Sequence, residues 1–540
     1  VTTENGTGSV HTAPAHGHED FYLGKENDLD LNCYVNTYGV FAEAKESFAN
    51  QHIFKSESHI LEKLDHSSLL ISSENFEHSY PHCWRHKTPV IFRTTRQWFI
   101  SMENEDFRST CLKSIRNVTW KPEWGEERIN GMIETRPDWC ISRQRYWGVP
   151  IPLFTHKDDQ SIHPDTPKLL HQIADKIEEG GIDAWFDSEA HIFLGDESSS
   201  YEKSSDTMDV WMDSGIAHQT VSHLFDHITN DADLYLEGSD QHRGWFQSSL
   251  LTSVAINNCA PYKEVLTHGF VVDEKGHKMS KSIGNTVSPQ SVINNMGADI
   301  LRLWVASTDY TSEMKISDQI LKRNADTYRR IRNTARFLLS NLNDFDPKEN
   351  QLNVSELVLL DQLAIKRVAL LNQQIMDEYN NYSFHKIIHL LHNFCVNDMG
   401  GFYLDILKDR LYTMPTDSVG RRSAQTALYL ISESLTRWIA PILSFTAEEI
   451  WKQMPERKEE SVFLSEWLVL PKIESNIDWD RLNEINTVVL KALEVARDDG
   501  KIGSPLDAHL IISAKKETYD FLIQFSEELR FLFITSSVDL

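Results

Sequence analysis

LTHGFVVDEKGHKMSKSIGNTVSP, residues 266–289, is the most informative stretch of this sequence. Its apolar beginning predicts buried β-structure that is interrupted at His268 and Gly269. The segment 273–277 then predicts a turn, because Gly276 lies within it. After the turn the chain continues with a short run of lysines and small hydroxylated residues, KMSKS, before a second glycine.

Two lysines in this run, Lys278 and Lys281, lie on either side of Met279 and a serine. Each lysine carries a compact charge on a long stem, so the pair suits a loop that grips a polyphosphate and stabilises charge on a transferring phosphoryl group. It is not a Walker loop, because no GxxxxGK[ST] occurs. An isolated K-x-x-K would favour a plain solvated loop. The whole run HGFVVDEKGHKMSKSIGN resembles the KMSKS loop of class I aminoacyl-tRNA synthetases, which implies activation of an amino acid by ATP and its transfer to tRNA.

Composition limits the class of protein. The 540 residues are enough for about three or four domains. With 40% hydrophobic and 25% charged residues the chain has the composition of a soluble globular protein, and no run of 18 apolar residues predicts a membrane span. The net charge of −27 argues against nucleic-acid binding by the whole surface. Any RNA contact therefore requires a local basic face.

Six cysteines occur without a CxxC pair, which indicates neither a zinc ribbon nor a disulfide framework and favours reduced thiols in the cytoplasm. The start, VTTENGTGSV, has neither an initiator Met nor a secretory signal. The end, FITSSVDL, comes directly after an apolar periodic segment. We expect both ends to be cuts through a longer chain.

LYLEGSDQHRGWFQSSLL (234–251) predicts a buried strand, an acidic turn and then a helix. Ligands lie at the carboxyl ends of strands in such β-to-α units, so Glu237 and its neighbours should face the crevice. The resemblance implies contacts with ATP or the aminoacyl-adenylate, and the residues it assigns to them are Glu237, Gly238, Asp240, Gln241, His268, Gly269, Met279 and Lys281. It further implies that ATP acts with Mg²⁺.

Two tryptophans match family positions that flank the amino-acid side chain: Trp211, in DTMDVWMDSG (206–215), and Trp245. A pocket walled by indole rings suits a branched aliphatic substrate. Either tryptophan alone would more readily be explained by core packing.

GTGSVHTAPAHGHEDF (6–21) predicts a shaped loop after a short strand. Its histidines and acids could form a metal site, although their spacing is a poor match. The run instead resembles the hydrolytic editing pocket of isoleucyl-, valyl- and leucyl-tRNA synthetases. That resemblance implies that Asp20 holds the α-ammonium of a mischarged aminoacyl ester and that His11 shapes the pocket. Ala15, His18 and Glu19 depart from the usual family residues.

RPDWCISRQRYWGVPIP (136–152) interleaves arginines with aromatic residues, as nucleotide or RNA-end surfaces do. Its alternative is a surface loop with structural tryptophans. The full string resembles the bacterial isoleucyl-tRNA synthetases and differs from the valyl and leucyl segments. Upstream of it, YPHCWRHKTPVIFRTTRQWFI (80–100) predicts a turn and then an apolar strand at residues 90–92. The segment 154–205 is acidic and Ser-rich and is predicted to be an insertion.

The chain becomes helical after position 299, where DILRLWVASTDY (299–310) predicts a strand or a helix junction. The segment 318–342 has apolar residues at helical spacing and six cations against two acids. A solvated helix face is possible, but this excess favours contact with phosphates, and we expect tRNA to bind at Arg329, Arg330 and Arg332. Residues 355–455 predict further amphipathic helices that resemble an anticodon-binding bundle, with a break at Pro441.

Together these motifs predict an α/β fold of the class I synthetase family. Residues 1–82 should be the C-terminal part of an inserted editing domain. Residues 83–317 should be the C-terminal half of a Rossmann-like catalytic domain with an insertion near 154–205. Residues 318–505 should be an α-helical tRNA- and anticodon-binding bundle, and 506–540 the start of a truncated junction domain.

The function implied by the resemblance is that of a monomeric cytoplasmic isoleucine–tRNA ligase that uses isoleucine, ATP and tRNA(Ile) and edits Val-tRNA(Ile). We expect the present residues alone not to catalyse adenylation, because the HIGH-type motif of the family is missing. No metal site is predicted here, and zinc is expected only in a further C-terminal module. Two alternatives remain: a valyl or leucyl enzyme with the same fold, and an RNA-binding or metal-hydrolase module without adenylation.

Overall fold

The computed structural model describes residues 8–42, 48–145, 147–225, 227–228, 231–281, 283–457, 459–474, 477–526 and 528–540. Its chain divides into two compact units. The first unit consists of 1–117, 129–231 and 243–261, and the second of 118–128, 232–242 and 262–540. In the described ranges no helix has the length and apolar character needed to cross a membrane.

The described strands are short. In chain order they are β1 (Phe99–Ile100), β2 (Thr119–Lys121), β3 (Trp139–Cys140), β4 (Ser142–Arg143), β5 (Phe154–His156), β6 (Tyr201–Lys203), β7 (Thr207–Met208), β8 (Ala232–Gly238), β9 (Tyr262–His268), β10 (Val271–Val272), β11 (Met314–Lys315), β12 (His509–Ile511) and β13 (Ser537–Asp539).

The sheet that matters for function lies in the second unit and has the order β2-β9-β8, with both pairs parallel. Strand β9 is central in this sheet, and Val265, Leu266 and Thr267 in its second half are buried. Strand β8 lies at the edge of the sheet and is buried only in part: Tyr235 is buried, but Leu236 is 51% exposed. The strand predicted in LYLEGSD is therefore present, but the prediction that it is buried was wrong for most of its residues. The carboxyl ends of β8 and β9 meet at one edge of this sheet.

The helices that begin in the first 260 residues are α1 (His18–Glu26), α2 (Glu57–His66), α3 (Phe107–Ile115), α4 (Trp124–Glu134), α5 (Thr166–Gly180), α6 (Asp183–Asp187), α7 (His191–Leu194), α8 (Val210–Gly215), α9 (Ala217–Leu224) and α10 (Trp245–Asn257). The segment 154–205 has a small core of its own. Phe154, Leu169, Ile173 and Trp185 are buried together, and β5 pairs with β6.

The remaining helices belong to the second unit: α11 (Pro289–Met296), α12 (Ala298–Ser307), α13 (Asp318–Ser340), α14 (Pro347–Asn350), α15 (Leu359–Asn380), α16 (Phe384–Asn393), α17 (Leu404–Thr413), α18 (Val419–Ile439), α19 (Ser444–Lys452), α20 (Trp479–Asp498), α21 (Lys516–Leu522) and α22 (Leu529–Leu532). A π-helical segment, Phe394–Tyr403, joins α16 to α17. One large apolar core runs from α12 to α22.

A buried ion pair lies inside this bundle. Arg410 on α17 donates two hydrogen bonds to the Asp361 carboxylate, at 2.7 and 2.9 Å, and both side chains are almost fully inaccessible. Tyr403 and Ser423 donate hydroxyl groups to the same carboxylate. The buried charge is thus paired and fully hydrogen-bonded, which is the condition for keeping such a pair in a core.

Several local predictions were confirmed and others were wrong. The helix predicted over 318–342 is α13, and the chain breaks between α18 and α19 around Pro441. A strand or a helix junction is predicted for the segment 299–310. The strand alternative is wrong, because α12 occupies the segment as far as Ser307. No strand forms at residues 90–92, and two of the three apolar side chains there, Val90 and Phe92, face solvent. The pairing described just before them is an isolated bridge between His82 and Pro89. The loop predicted over 6–21 ends early, since α1 begins at His18.

Candidate active site

Two predicted site residues meet at the carboxyl edge of the parallel sheet. Gly238 on β8 lies in register with His268 on β9, and Glu237 lies beside Thr267. Glu237 is exposed, whereas Thr267 is buried, so the carboxylate faces away from the core. A Cβ at position 238 would lie 2.9 Å from an oxygen of the exposed Asp240 carboxylate, a side chain that can rotate away. This edge of the sheet therefore carries the Glu237 carboxylate and the His268 imidazole, next to the backbone of Gly238, which has no side chain.

The turn after β8 carries the other predicted contacts of this edge. Asp240 is exposed and accepts a 3.0 Å hydrogen bond from the side-chain amide of Gln241. His242 is buried between the rings of Trp120 and Trp124, and its Nδ1 lies 3.1 Å from the Ser239 carbonyl oxygen. Burial lowers the pKa of His242, so the ring is neutral near pH 7. Its packing fixes the turn from inside, while Asp240 is exposed and Gln241 is half-buried.

Gly269 connects this edge to the lysine loop. Its amide donates a 2.8 Å hydrogen bond to the Tyr310 carbonyl oxygen, which draws the chain against the segment before β11. A Cβ at this position would lie 2.0 Å from the Ser312 carbonyl oxygen, closer than any two such atoms can come. Only glycine permits this approach. Strand β10 then pairs with β11 in a parallel arrangement and leads into the loop.

Both lysines of the loop are exposed, while Met279 between them is half-buried and packs against a small core that includes Val292 and Trp304. The ammonium group of Lys278 lies 5.0 Å from the centre of the Phe270 ring, within range of a cation–π interaction. Met279 thus anchors the backbone between the two lysines, and the lysine charges face solvent. Ser282, the last residue of KMSKS, lies outside the described residues.

The two predicted tryptophans lie on helices α8 and α10, which pack against each other in the first unit. The indole N–H of Trp245 donates a 3.0 Å hydrogen bond to the Ser214 carbonyl oxygen at the end of α8, the helix that carries Trp211. Helices α8 and α10 pack closely. Their approach is so close that a Cβ at Gly215 would lie 2.9 Å from the Ser248 carbonyl oxygen. Trp211 is 41% exposed, too much for a residue of the core. This argues against plain core packing for Trp211 and for a ring that is available to a ligand.

The arginines of 136–152 do not all face solvent. Arg136 is half-buried, stacks on Trp139 and donates to the Gln247 side chain, and burial lowers its pKa. Arg143 forms a 2.9 Å ion pair with the buried Asp209. These two arginines therefore hold the loop in place, contrary to a purely ligand-facing role. Arg145 and Trp147 are exposed, and Tyr146 lies outside the described residues.

Asp20 lies in the first turn of α1 and not in a loop. Its Oδ2 accepts a 2.9 Å hydrogen bond from the Ala13 amide, so the carboxylate closes the turn before the helix. Acidic residues in a first turn also stabilise the helix dipole. His11 is exposed, and in the described part of the chain no hydrogen bond joins it to Asp20. The structure thus gives Asp20 a structural contact that the sequence did not indicate.

The basic face predicted on α13 is present. All six cationic side chains of this helix are exposed: Lys322, Arg323, Arg329, Arg330, Arg332 and Arg336. Arg329 pairs with Asp326 at 2.5 Å, an ion pair of two exposed groups that contributes little. Within the described ranges, Arg330 and Arg332 have no acidic partner. Among the described residues, no group of three or more His, Cys, Asp or Glu side chains is arranged to hold a metal ion.

Three polar residues that organise these sites were missed from the sequence. The Asp209 carboxylate caps α8 by accepting a hydrogen bond from the Trp211 amide. It also accepts a hydrogen bond from the Trp139 indole N–H and forms an ion pair with Arg143. Asp273 and Asn285 join the two ends of the lysine loop. The only sequence signal for the latter pair is an acid and an amide that flank KMSKS twelve positions apart.

The structure combines a parallel sheet, a lysine loop that follows it in the chain and a helical bundle after that loop. The profile described as "tRNA synthetases class I (I, L, M and V)" matches residues 25–317, and that described as "Anticodon-binding domain of tRNA ligase" matches 361–512. The chain belongs to the class I tRNA synthetases.

Curated relatives include the isoleucine–tRNA ligase of Teredinibacter turnerae, which is 53% identical over 100% of this chain and 58% of its own length. The isoleucine–tRNA ligase of Ruthia magnifica is 52% identical over 100% of this chain and 58% of its own length. The chain thus spans little more than half the length of the curated relatives it matches. Methionyl-tRNA synthetase of Mycobacterium tuberculosis, solved with methionyl-adenylate, has a TM-score of 0.50 at 17% identity over 73% of this chain and 70% of its own, a likeness of fold alone.

Proposed function

We propose that this chain is the central and C-terminal part of an isoleucine–tRNA ligase. In the first reaction the isoleucine carboxylate attacks the α-phosphorus of ATP, and pyrophosphate leaves. In the second reaction a terminal hydroxyl of tRNA(Ile) attacks the carbonyl carbon of the adenylate, and AMP leaves. The observation that carries the proposal is the exposed lysine pair on the loop after β10, which the chain enters soon after it leaves the carboxyl edge of the parallel sheet.

In this proposal Lys278 and Lys281 hold the phosphates of ATP, which enters with Mg²⁺ as its counterion. Two fixed positive charges stabilise the negative charge that moves onto the leaving pyrophosphate. Glu237 orients the adenylate from the sheet edge. The other proposed contacts to ATP or the adenylate come from Gly238, Asp240, Gln241, His268, Gly269 and Met279, and Trp211 and Trp245 flank the isoleucine side chain.

Editing forms the second part of the proposal. A hydrophobic pocket rejects a substrate that lacks one methylene only weakly, and isoleucine against valine is the standard example of this limit. We propose that Asp20 and His11 belong to a hydrolytic pocket for Val-tRNA(Ile), in the C-terminal part of an editing domain at 1–82. The catalytic half-domain would then be 83–317, the helical tRNA-binding domain 318–505 and the junction domain 506–540.

The proposed partners are tRNA(Ile), isoleucine and ATP, and the proposed setting is a monomer in the cytoplasm. The test is ATP–pyrophosphate exchange by the full-length protein without tRNA, with isoleucine, valine and leucine compared over a range of concentrations. We expect exchange with the highest kcat/KM for isoleucine. A preference for valine or leucine would reassign the substrate, and no exchange with any amino acid would reject adenylation.

A further inference from the structure

A side-chain bridge closes the lysine loop. The side-chain amide of Asn285 donates a 2.9 Å hydrogen bond to Oδ2 of Asp273, at the other end of the loop. Oδ1 of Asp273 accepts hydrogen bonds from the backbone amides of Lys275 and His277, with lengths of 3.0 and 2.8 Å. Asp273 itself comes directly after the buried end of β10, so one side of the bridge is fixed to the core.

The other side of the bridge reaches the backbone between the two lysines. The Ser280 amide donates a 2.9 Å hydrogen bond to Oδ1 of Asn285. The amide group of Asn285 also lies 3.5 Å from the Lys278 carbonyl oxygen, at the limit of hydrogen-bond length. Asn285 therefore holds the main chain at Lys278 and at Ser280, the residue just before Lys281.

The charge state of the bridge suits this role. The hydrogen bond from Asn285 lowers the pKa of Asp273, with the His277 amide as a further cause, so the carboxylate stays ionised near neutral pH. The His277 ring lies 3.6 Å from the same carboxylate and is exposed. An ionised acceptor makes stronger hydrogen bonds than a neutral one.

The side chains of Lys278 and Lys281 are exposed and have long flexible stems. The placement of their charges therefore depends on the backbone that carries them. A displacement of about 1 Å in a group that stabilises the transition state can lower the rate by roughly 10². We infer that Asp273 and Asn285 are positioning residues that fix Lys278 and Lys281 for pyrophosphate departure. This inference rests on the proposed function.

A charge swap tests the bridge directly in the full-length enzyme. Asn285→Asp places two carboxylates side by side in place of the hydrogen bond and should lower the kcat of isoleucine-dependent exchange by about tenfold or more. The double variant Asp273→Asn/Asn285→Asp restores one donor and one acceptor and keeps the total charge. It should recover most of the wild-type rate. Asn295→Asp adds the same charge at an exposed position on α11 and should leave exchange unchanged.

A second comparison separates positioning from a general role in folding. If the bridge acts through Lys281, Asn285→Asp should lower exchange much less in a Lys281→Ala background than in the wild type. Equilibrium binding of isoleucine and the thermal midpoint should stay at wild-type values in the single variant. Three results would overturn the positioning role. They are a loss of isoleucine binding in Asn285→Asp, effects of Asn285→Asp and Lys281→Ala on exchange that multiply in full, and a double variant Asp273→Asn/Asn285→Asp that is as slow as Asn285→Asp. A wild type without exchange would reject the proposed function instead, and the role with it.

Discussion

The Gly269 amide and the Tyr310 carbonyl oxygen are joined by a 2.8 Å hydrogen bond, and the backbone two residues beyond Tyr310 leaves no room for a side chain at position 269. Gly269→Ala would place a methyl group 2.0 Å from the Ser312 carbonyl oxygen. We expect a loss of about 1–3 kcal/mol of stability from overpacking, together with a fall in exchange activity. The control is Gly131→Ala, in an exposed part of α4 with open space around the Cβ position. That change should stabilise the chain by about 0.5–1 kcal/mol in denaturant titrations.

Lys281→Ala should lower the kcat of ATP–pyrophosphate exchange by about 10² or more, because it removes a charge that acts on the leaving pyrophosphate. Isoleucine affinity should change little. Lys275→Ala removes an equally exposed lysine from the turn before the motif and should leave the rate unchanged. Equal rates for both variants and the wild type would contradict the assignment of the loop.

Replacement of Arg329, Arg330 and Arg332 by Ala should weaken tRNA binding and flatten its dependence on salt, by about 0.7–0.9 in log–log slope for each phosphate that is no longer bound. Exchange without tRNA should not change. A control triple at Lys157, Lys168 and Lys176 removes the same charge from exposed lysines of the segment 154–205, outside the proposed tRNA-binding domain. If both triples lower tRNA affinity equally, the α13 face has no specific role.

Asp20 should separate proofreading from synthesis in the full-length enzyme. Removal of the one carboxylate that holds an ammonium weakens its binding by roughly 1.5–3 kcal/mol. Asp20→Ala should therefore leave isoleucine activation intact and let Val-tRNA(Ile) accumulate. Deacylation of Val-tRNA(Ile) is the measurement.

The hydrogen bond from Ala13 to Asp20 requires a second variant, because it gives the carboxylate a structural role as well. Asp20→Asn keeps an acceptor for the Ala13 amide and removes the charge. If the charge holds the substrate, Asn and Ala should impair deacylation alike. If Asp20 serves only the turn, Asn should behave as the wild type. Loss of deacylation with a chelator and its return with zinc would favour the metal-site alternative.

Asp361→Asn should destabilise the helical bundle by roughly 3–5 kcal/mol, because it leaves the buried Arg410 guanidinium without its counter-charge. The measurement is the denaturation midpoint of the full-length enzyme, monitored by helical circular dichroism. Asp520→Asn breaks the exposed pair with Lys516 and should cost less than about 1 kcal/mol. Similar midpoints for the two variants would contradict the buried-pair interpretation.

By itself, the sequence determined the strands β8 and β9, the lysine loop, the basic helix α13 and the family. These features are local: apolar runs, turn residues and helical periodicity act within about twenty positions and leave their mark in the order of residues. The helix start at His18 and the missing strand at 90–92 show the limit of such patterns, since an apolar triplet becomes a strand only where a partner strand is available.

Only the tertiary structure decided which polar residues hold the site together. Asp209 bonds to Trp139 and Arg143, which lie about seventy positions earlier in the chain. The Gly269 amide donates a hydrogen bond to a carbonyl oxygen about forty residues further along the chain. Such contacts depend on the relative placement of distant segments, which no local pattern encodes. The same reason separates the two interpretations of Arg136: the sequence shows a cation among aromatics, and the fold turns it inward to Gln247.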